Sequence, residues 1–256
     1  MTKIDVIILA GADNDGALKA VTDTPYEALI MLAGKPMVKY VVDAAAKSRY
    51  VDRVVIVGPE RQLREFFDDK VFHIAQCGDS MVENILIGIE MLQPRGKVLL
   101  LTSDIPLITP EAIDDFIDRC NAAEGDVYYP IVSREANDAK YPGVKRTYVR
   151  LKEGVFTGGN MALLQPQIVR KNHRMIERAV SMRKKPWQLS RLLGFKFIVK
   201  FIFNQLSLNE IEQRVQLMLG FRGIGIISPY PEVGIDVDKP SDLYLMQKVY
   251  EQNTVA

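Results

Sequence analysis

The chain has 256 residues, 48% hydrophobic and 25% charged, with a formal net charge of +1. That balance is ordinary for a folded globular chain and offers no bulk electrostatic attraction to nucleic acid. Its two cysteines, Cys77 and Cys120, lie in no CxxC or Cys/His cluster, which argues against a zinc site or a disulfide framework.

The N-terminal apolar run is too short for a signal peptide and leads straight into a strand pattern. No stretch reaches the roughly 18 apolar residues of a membrane-spanning helix, so a cytoplasmic location is expected.

Over the first 131 residues, strand-like and helix-like patterns alternate. Strands are expected at Asp5–Leu9, Arg53–Val57, Phe72–Ala75, Lys97–Thr102 and Val127–Ile131. Their apolar, unalternating character suits strands covered on both faces. A helix over Met37–Arg49 opens behind Pro36, a good first-turn residue. Ser80–Leu92 places Val82, Ile85, Leu86, Ile89 and Leu92 on one face, and Ser80 with Glu83 reads as a capping box. Thr109 caps a helix led by Pro110. Such alternation builds a parallel sheet with right-handed crossovers, covered by helices on both sides.

Beyond Val144 the pattern changes. Lys145–Arg150 and Val155–Leu164 read as strands, the second passing through "FTGGN". Residues 165–220 read as mostly helical, with a second capping box at Ser207 and Glu210 and a C-terminal glycine at Gly220. A strand at Ile224–Ser228 and a helix from about Pro240 complete the pattern. The chain is therefore expected to be one α/β domain, 1–256, with a helical insertion at about 165–220.

The insertion carries 11 Lys or Arg against 3 Glu. It also holds "LLGFKFIVKFIFNQL", in which Lys196 and Lys200 fall four apart on one helical face. One reading is a helix packed on the sheet with its lysines snorkelling outward. The other is a surface at residues 192–206 for a membrane or a lipid-like acceptor.

In an open parallel sheet, ligands sit beyond the carboxyl ends of the strands. Four features should converge there. Leu9-Ala10-Gly11 ends the first strand, and its glycine lets backbone N–H groups approach a phosphate chain. "VLLLTSDIPL" ends a buried strand at Asp104, a costly place for a carboxylate unless a cation meets it. In "VGIDVDKPSDL", Asp236 and Asp238 point to one side of an extended segment and repel unless a cation or donor lies between them. Asp238 alone also suits capping of the helix led by Pro240. Asp104, Asp236 and Asp238 together suit magnesium, which favours one or two carboxylates plus substrate phosphates. In "QCGDSMVENILIG", the helix N-terminus with Ser80 and Asn84 can read a base edge or a phosphate, alongside the capping role of Ser80. "FTGGN" reads either as an acceptor-contacting wall or as a β-bulge.

The order of strand-LAG, GKP, a capped helix after the third strand, D-x-P-L, G-G-N and D-x-D-x-P-x-D-L resembles the MobA-like nucleotidyltransferases. These include molybdenum-cofactor guanylyltransferase and the methylerythritol-phosphate cytidylyltransferases. The resemblance covers about residues 3–164 and 224–251. It implies a three-layer α/β/α, Rossmann-like fold of the glycosyltransferase-A type with a mixed, mostly parallel sheet. It further implies magnesium-dependent transfer of a nucleoside monophosphate from a triphosphate, GTP or CTP, to a phosphorylated acceptor, with pyrophosphate released.

By resemblance, Leu9, Ala10 and Gly11 hold the triphosphate, and Gly78, Asp79, Ser80 and Asn84 lie near the base. Asp104 binds metal with Asp236 or Asp238, and Gly158, Gly159 and Asn160 face the acceptor. The family's opening loop usually carries a G-x-G-x-R arginine, best matched here by Lys19, and then a P-K pair. Here that pair is Pro25-Tyr26, so the family lysine is missing. Lys19 or Lys35 is the candidate to compensate, or a basic side chain from the insertion, and otherwise the acidic loop recruits a second metal. A nucleotide-binding module without transferase activity, and an enzyme using a sugar nucleotide, remain as alternatives.

Overall fold

The computed structural model describes residues 3–68, 72–182 and 200–254. A central sheet runs in the order β5-β4-β1-β6-β10-β7-β9-β8, with β11 beside β7. Its strands are β1 (Ile4–Leu9), β4 (Val51–Gly58), β5 (His73–Gln76), β6 (Val98–Thr102), β7 (Val127–Ser133), β8 (Val149–Leu151), β9 (Gly154–Gly158), β10 (Met161–Leu164) and β11 (Gly223–Ser228). A small β2 (Met31–Leu32) pairs with β3 (Lys35–Pro36), and a one-turn α2 (Glu60–Leu63) follows β4. β1 lies parallel between β4 and β6, and β5 extends the sheet beyond β4. β10 runs antiparallel to both β6 and β7, which makes the sheet mixed.

The three layers arise from β1 itself. Val6, Ile7 and Ile8 are fully buried and point alternately to opposite faces. Val6 and Ile8 join a cluster with Val38, Val41 and Val42 of α1 (Met37–Lys47) and Ile113, Phe116 and Ile117 of α4 (Pro110–Asn121). Ile7 joins the other face with Val82, Ile85, Ile89 and Leu92 of α3 (Met81–Leu92) and Val169 of α6 (Pro166–Met182). Burying each such side chain contributes roughly 1.5–3 kcal/mol, so a strand filled on both sides must be central.

The helix termini obey their expected chemistry, with one difference. Thr109 Oγ1 accepts the Ala112 N–H at 3.2 Å, with Pro110 behind it. Ser80 Oγ accepts the Glu83 N–H at 3.1 Å, but the Glu83 carboxylate takes the Asp79 N–H instead of completing the box on Ser80. The box at Ser207 and Glu210 is complete, heading α7 (Leu208–Leu219), and Gly220 closes that helix in the left-handed region at φ +72°.

Two strand expectations need correction. The pairing of Lys145–Arg150 shrinks to Val149–Leu151, because residues 145–148 lie off the sheet, with Lys145, Arg146 and Thr147 walling a pocket. The strand expected to run unbroken through "FTGGN" is two strands, broken at Gly159-Asn160. There the Gly159 N–H donates to the Pro130 carbonyl, and the Asn160 N–H crosses to the Val233 carbonyl. A Cβ on Gly159 would lie 2.8 Å from Pro130 Cγ and 3.0 Å from the Val233 oxygen, so only glycine lets the chain pass. A short α5 (Arg134–Lys140), capped by Ser133, adds a helix that the sequence pattern does not announce.

Of the 165–220 region, residues 183–199 lie outside the described residues, and with them most of the 192–206 segment. Among the rest, α6 packs beside α3 through Val169 and Ile176. α7 packs on β11, which returns the chain to the sheet alongside β7. No helix among the described residues is long and apolar enough to cross a membrane. The closing helix α8 (Pro240–Thr254) seals a third cluster, in which Leu243 and Met246 meet Leu18, Ile30, Ile235 and Val237.

Candidate active site

Beyond the carboxyl ends of β1 and β6, a cavity of about 690 Å³ opens. Two backbone bonds stitch its floor: the Ser103 N–H donates to the Leu9 carbonyl at 3.2 Å, and the Thr102 N–H to the Asn160 carbonyl at 3.1 Å. Leu9, Gly11, Gly78, Asp79, Ser80, Asn84, Asp104, Asn160, Asp236 and Asp238 all line it. Ala10 is fully buried and does not. Gly158 and Gly159 instead line an adjoining pocket of about 490 Å³, which shares Asn160, Asp236 and Asp238 with the first. Lys19 sits exposed on the 17–20 turn and lines neither space. Lys35 lies over the Tyr40 ring.

The N-terminal part of the site is built by side chains filling the room that glycine leaves. A Cβ on Gly11 would fall 2.7 Å from Cys77 Cβ and 3.1 Å from Asn84 Nδ2. Asn84 is nearly buried and its Oδ1 accepts the Gly78 N–H at 2.7 Å, which holds the loop before α3 against the end of β1. Ser80 lines the cavity and its oxygen accepts the helix-cap N–H.

On the opposite wall, carboxylate oxygens of Asp104, Asp236 and Asp238 lie within 4.8 Å of one another. Burial pushes the Asp104 carboxyl up to about 6, with Asp238 adding to the rise and the Thr102 hydroxyl opposing it. Burial also raises Asp236, to about 7, against the pull of Arg146 and with the repulsion of Asp104 and Asp238. Three carboxylates in such a space need protons or a cation between them. Hard oxygen donors at this spacing, two of them on one extended segment, fit a magnesium-type ion.

The opening loop is more acidic than a phosphate-binding loop usually is. Asp13, Asp15 and Glu27 join Asp79 and the three wall aspartates, so seven carboxylates line the cavity. No Lys or Arg among the described residues does so. Tyr26 packs against the core and bridges to Asp13 through the backbone. Asn14 braces the loop by donating from Nδ2 to the Thr22 and Thr24 carbonyls.

Sequence reasoning missed Arg146. Its side chain is only 8% exposed, its Nη1 pairs with the Asp236 carboxylate, and its Nη2 donates to the Asp236 carbonyl at 2.6 Å. In the sequence Arg146 stands only as one of two adjacent cations in "VKRTYV", ahead of the β8–β9 hairpin, with nothing local to mark its pairing with Asp236.

The sequence pattern of the MobA-like NTP transferase domain matches residues 14–186. The chain belongs to that family. A hypothetical transferase from Thermus thermophilus is 36% identical and superposes with a TM-score of 0.79 over 94% of this chain and all of that one. A CMP:2-keto-3-deoxy-manno-octonic acid synthetase complexed with CTP shares the fold at 14% identity, with a TM-score of 0.62 over 99% of this chain and all of its own. Among curated relatives, the bifunctional protein GlmU of Caldanaerobacter subterraneus subsp. tengcongensis is 34% identical over 100 residues, 38% of this chain and 21% of that one. A probable molybdenum cofactor guanylyltransferase of Thermococcus kodakarensis is 26% identical over 105 residues, 40% of this chain and 49% of that one. The matches thus cover about a fifth to a half of these curated relatives.

The family's members are nucleotidyltransferases. Together with the fold, this makes transfer from a nucleoside triphosphate the general chemistry to which the site is related.

Proposed function

We propose that this chain is a magnesium-dependent nucleotidyltransferase that moves a nucleoside monophosphate from GTP or CTP to a phosphorylated small-molecule acceptor. The observation that carries the reading is the meeting of Asp104 with Asp236 and Asp238, over a hundred residues apart in the chain, in a cavity floored by Gly11. Asp104 and one or both of the other aspartates would hold the ion. When bound, magnesium supplies neutralisation of the triphosphate and leaving-group charge.

The chain's own residues position the reactants. The Gly11 turn and the Gly78–Ser80 loop cradle the nucleotide, with Asn84 fixing the spacing between them. The break at Gly159-Asn160 opens the wall toward the acceptor. An acidic lining that holds no Lys or Arg among the described residues cannot attract a triphosphate by itself, so cation dependence should be steep. Lys19 remains the candidate cation of the opening turn, and Lys19→Ala should lower turnover more than affinity.

One domain with an insertion at 165–220 is supported by β11, which re-enters the same sheet beside β7. A cytoplasmic location suits a triphosphate donor. Peripheral contact with a lipid surface is supported by the exposed Phe201, Ile202 and Phe203 in the basic region.

The missing cation also favours a second reading, a nucleotide-binding module without transfer. Pyrophosphate release from each triphosphate, with magnesium and a panel of phosphorylated acceptors, separates the two. Release supports transfer, while tight binding without release with any acceptor supports the module. Tighter binding of sugar nucleotides than of triphosphates would point to glycosyl transfer instead.

A further inference from the structure

At the end of β1 opposite the acidic cavity lies another space, of about 840 Å³, where β1, β4 and β6 begin. β1 spans six residues, so roughly 16 Å separates the two. The charge here has the opposite sign: Lys3, Arg53, Arg95 and Lys97 line the cavity against Asp5 and Asp52. Arg53 has a local duty. It grips Asp5 through Nε at 2.9 Å and Nη2 at 2.6 Å, and Nη2 also caps α3 at the Leu92 carbonyl. That leaves three cations facing Asp52. None of the three forms an ion pair among the described residues. Lys3 donates from Nζ to the Arg49 and Val51 carbonyls, at 3.1 and 3.3 Å. Lys97 donates to the Tyr128 hydroxyl at 2.8 Å, and Tyr128 is itself fully buried and fixed on the Ala123 carbonyl. Both ammonium groups are thus held in place by neutral oxygens, each with at least one N–H to spare. Arg95 is exposed. The floor beneath them is apolar, with Ile4, Leu92 and Leu163 all buried.

We propose that this cavity binds a small organic phosphate that takes no part in nucleotidyl transfer. Lys3, Arg95 and Lys97 hold its phosphate, and its organic body rests on Ile4, Leu92 and Leu163. Like charges gathered without counter-charge repel, and an anion placed among them relieves that repulsion. A guanidinium offers a planar N–H fork that matches phosphate oxygens, and the two ammonium groups add point charges. A phosphate dianion answers three cations better than a monocarboxylate, which carries half the charge. The space is larger than inorganic phosphate needs and has the size of clefts that enclose ligands with an organic body. No described residue lines both this cavity and the acidic one, so the inference stands apart from the reading of the acidic site.

The test is calorimetric titration of naphthyl phosphate into the whole protein at low salt, with EDTA present. The chelator keeps metal out of the acidic cavity, whose carboxylates then repel the probe. Saturable binding is expected, weakened at least tenfold by Lys3→Ala combined with Arg95→Ala and unchanged by Lys145→Ala in the smaller pocket. Lys3 and Arg95 are exposed, so folding should be undisturbed. Naphthoate and inorganic phosphate should each bind at least tenfold more weakly than the ester. No binding by the wild type, full affinity in the double variant, or a loss with Lys145→Ala overturns the proposal. Naphthoate binding as tightly as the ester overturns it too, because the second charge would then go unread. Inorganic phosphate binding as tightly overturns the assignment of an organic ligand, because the apolar floor would then contribute nothing.

Discussion

The Val237 N–H donates to the Asp104 carbonyl at 2.9 Å. This backbone bond pins the segment before α8 to the turn after β6. It sets the side chains on either side of Val237, Asp236 and Asp238, against that of Asp104. Tyr141 strengthens the same edge, its Oη donating to buried Glu232 Oε1 at 2.8 Å, and Lys140 pairs with the same carboxylate. The carboxylates are therefore held together by backbone and by buried contacts around them, against their own repulsion.

Asp104→Asn should change stability with pH in a defined direction. The folded state holds the Asp104 proton up to about 6, whereas an unburied aspartate releases it near 3.8. Between those values the folded protein binds more protons than the unfolded one, so metal-free stability falls as pH rises. Asparagine keeps the neutral form throughout. Its advantage over the wild type should grow from nothing near pH 4 to roughly 2–3 kcal/mol above pH 6.5, in urea unfolding with chelator present. A pH-independent difference would contradict the buried-carboxyl account. With magnesium added, Asp104→Ala should no longer show metal-dependent tightening of triphosphate binding. Its persistence would remove Asp104 from the ion site.

Arg146→Ala should be costly at high pH and milder at low pH. Above pH 8 it leaves the ionised, partly buried Asp236 without its counter-charge, at a cost of about 3 kcal/mol. Near pH 5 Asp236 is protonated, because burial already raises it to about 7, and the loss shrinks to that of packing. Urea midpoints at the two pH values measure this. Equal losses at both would show that the pair contributes no charge compensation.

Gly11→Ala tests the close approach of Cys77 and Asn84 to the turn after β1. The new Cβ would overlap Cys77 and press on Asn84, so a loss of about 1–3 kcal/mol in thermal unfolding is expected. Triphosphate affinity should fall as well, since Asn84 positions Gly78. Wild-type stability together with wild-type affinity would mean the contact has no role.

Phe201, Ile202 and Phe203 are 46%, 65% and 67% exposed beside a basic region. The protein should sediment with vesicles containing phosphatidylglycerol at low salt, and far less with all three changed to serine. Absence of sedimentation for the wild type retires the lipid contact.

Much of the fold could be read in the chain because its signals are local. "DVIIL" and "VLLLT" lack polar alternation and so must be covered on both faces, as Ile7, Ile8 and Leu101 are. Thr109 and Ser207 announce helix starts through chemistry confined to one turn. The break in "FTGGN" was harder to read, because the glycines answer to Pro130 and to the Val233 carbonyl, which are distant in sequence. The aspartates could be named as a group from their strand-end positions. Arg146 could not, since its importance lies in burial against Asp236, 90 residues away.

The amino-acid order alone determined the layered α/β plan, the helix caps and the residue types gathered at the sheet's rim, because periodicity and capping act over a few residues. Tertiary structure alone decided that, among the described residues, no Lys or Arg lines the larger cavity while Lys145, Arg146 and Lys239 gather beside three carboxylates in the neighbouring pocket. Charge felt at a point depends on distance through space, and here loops far apart in sequence set those distances.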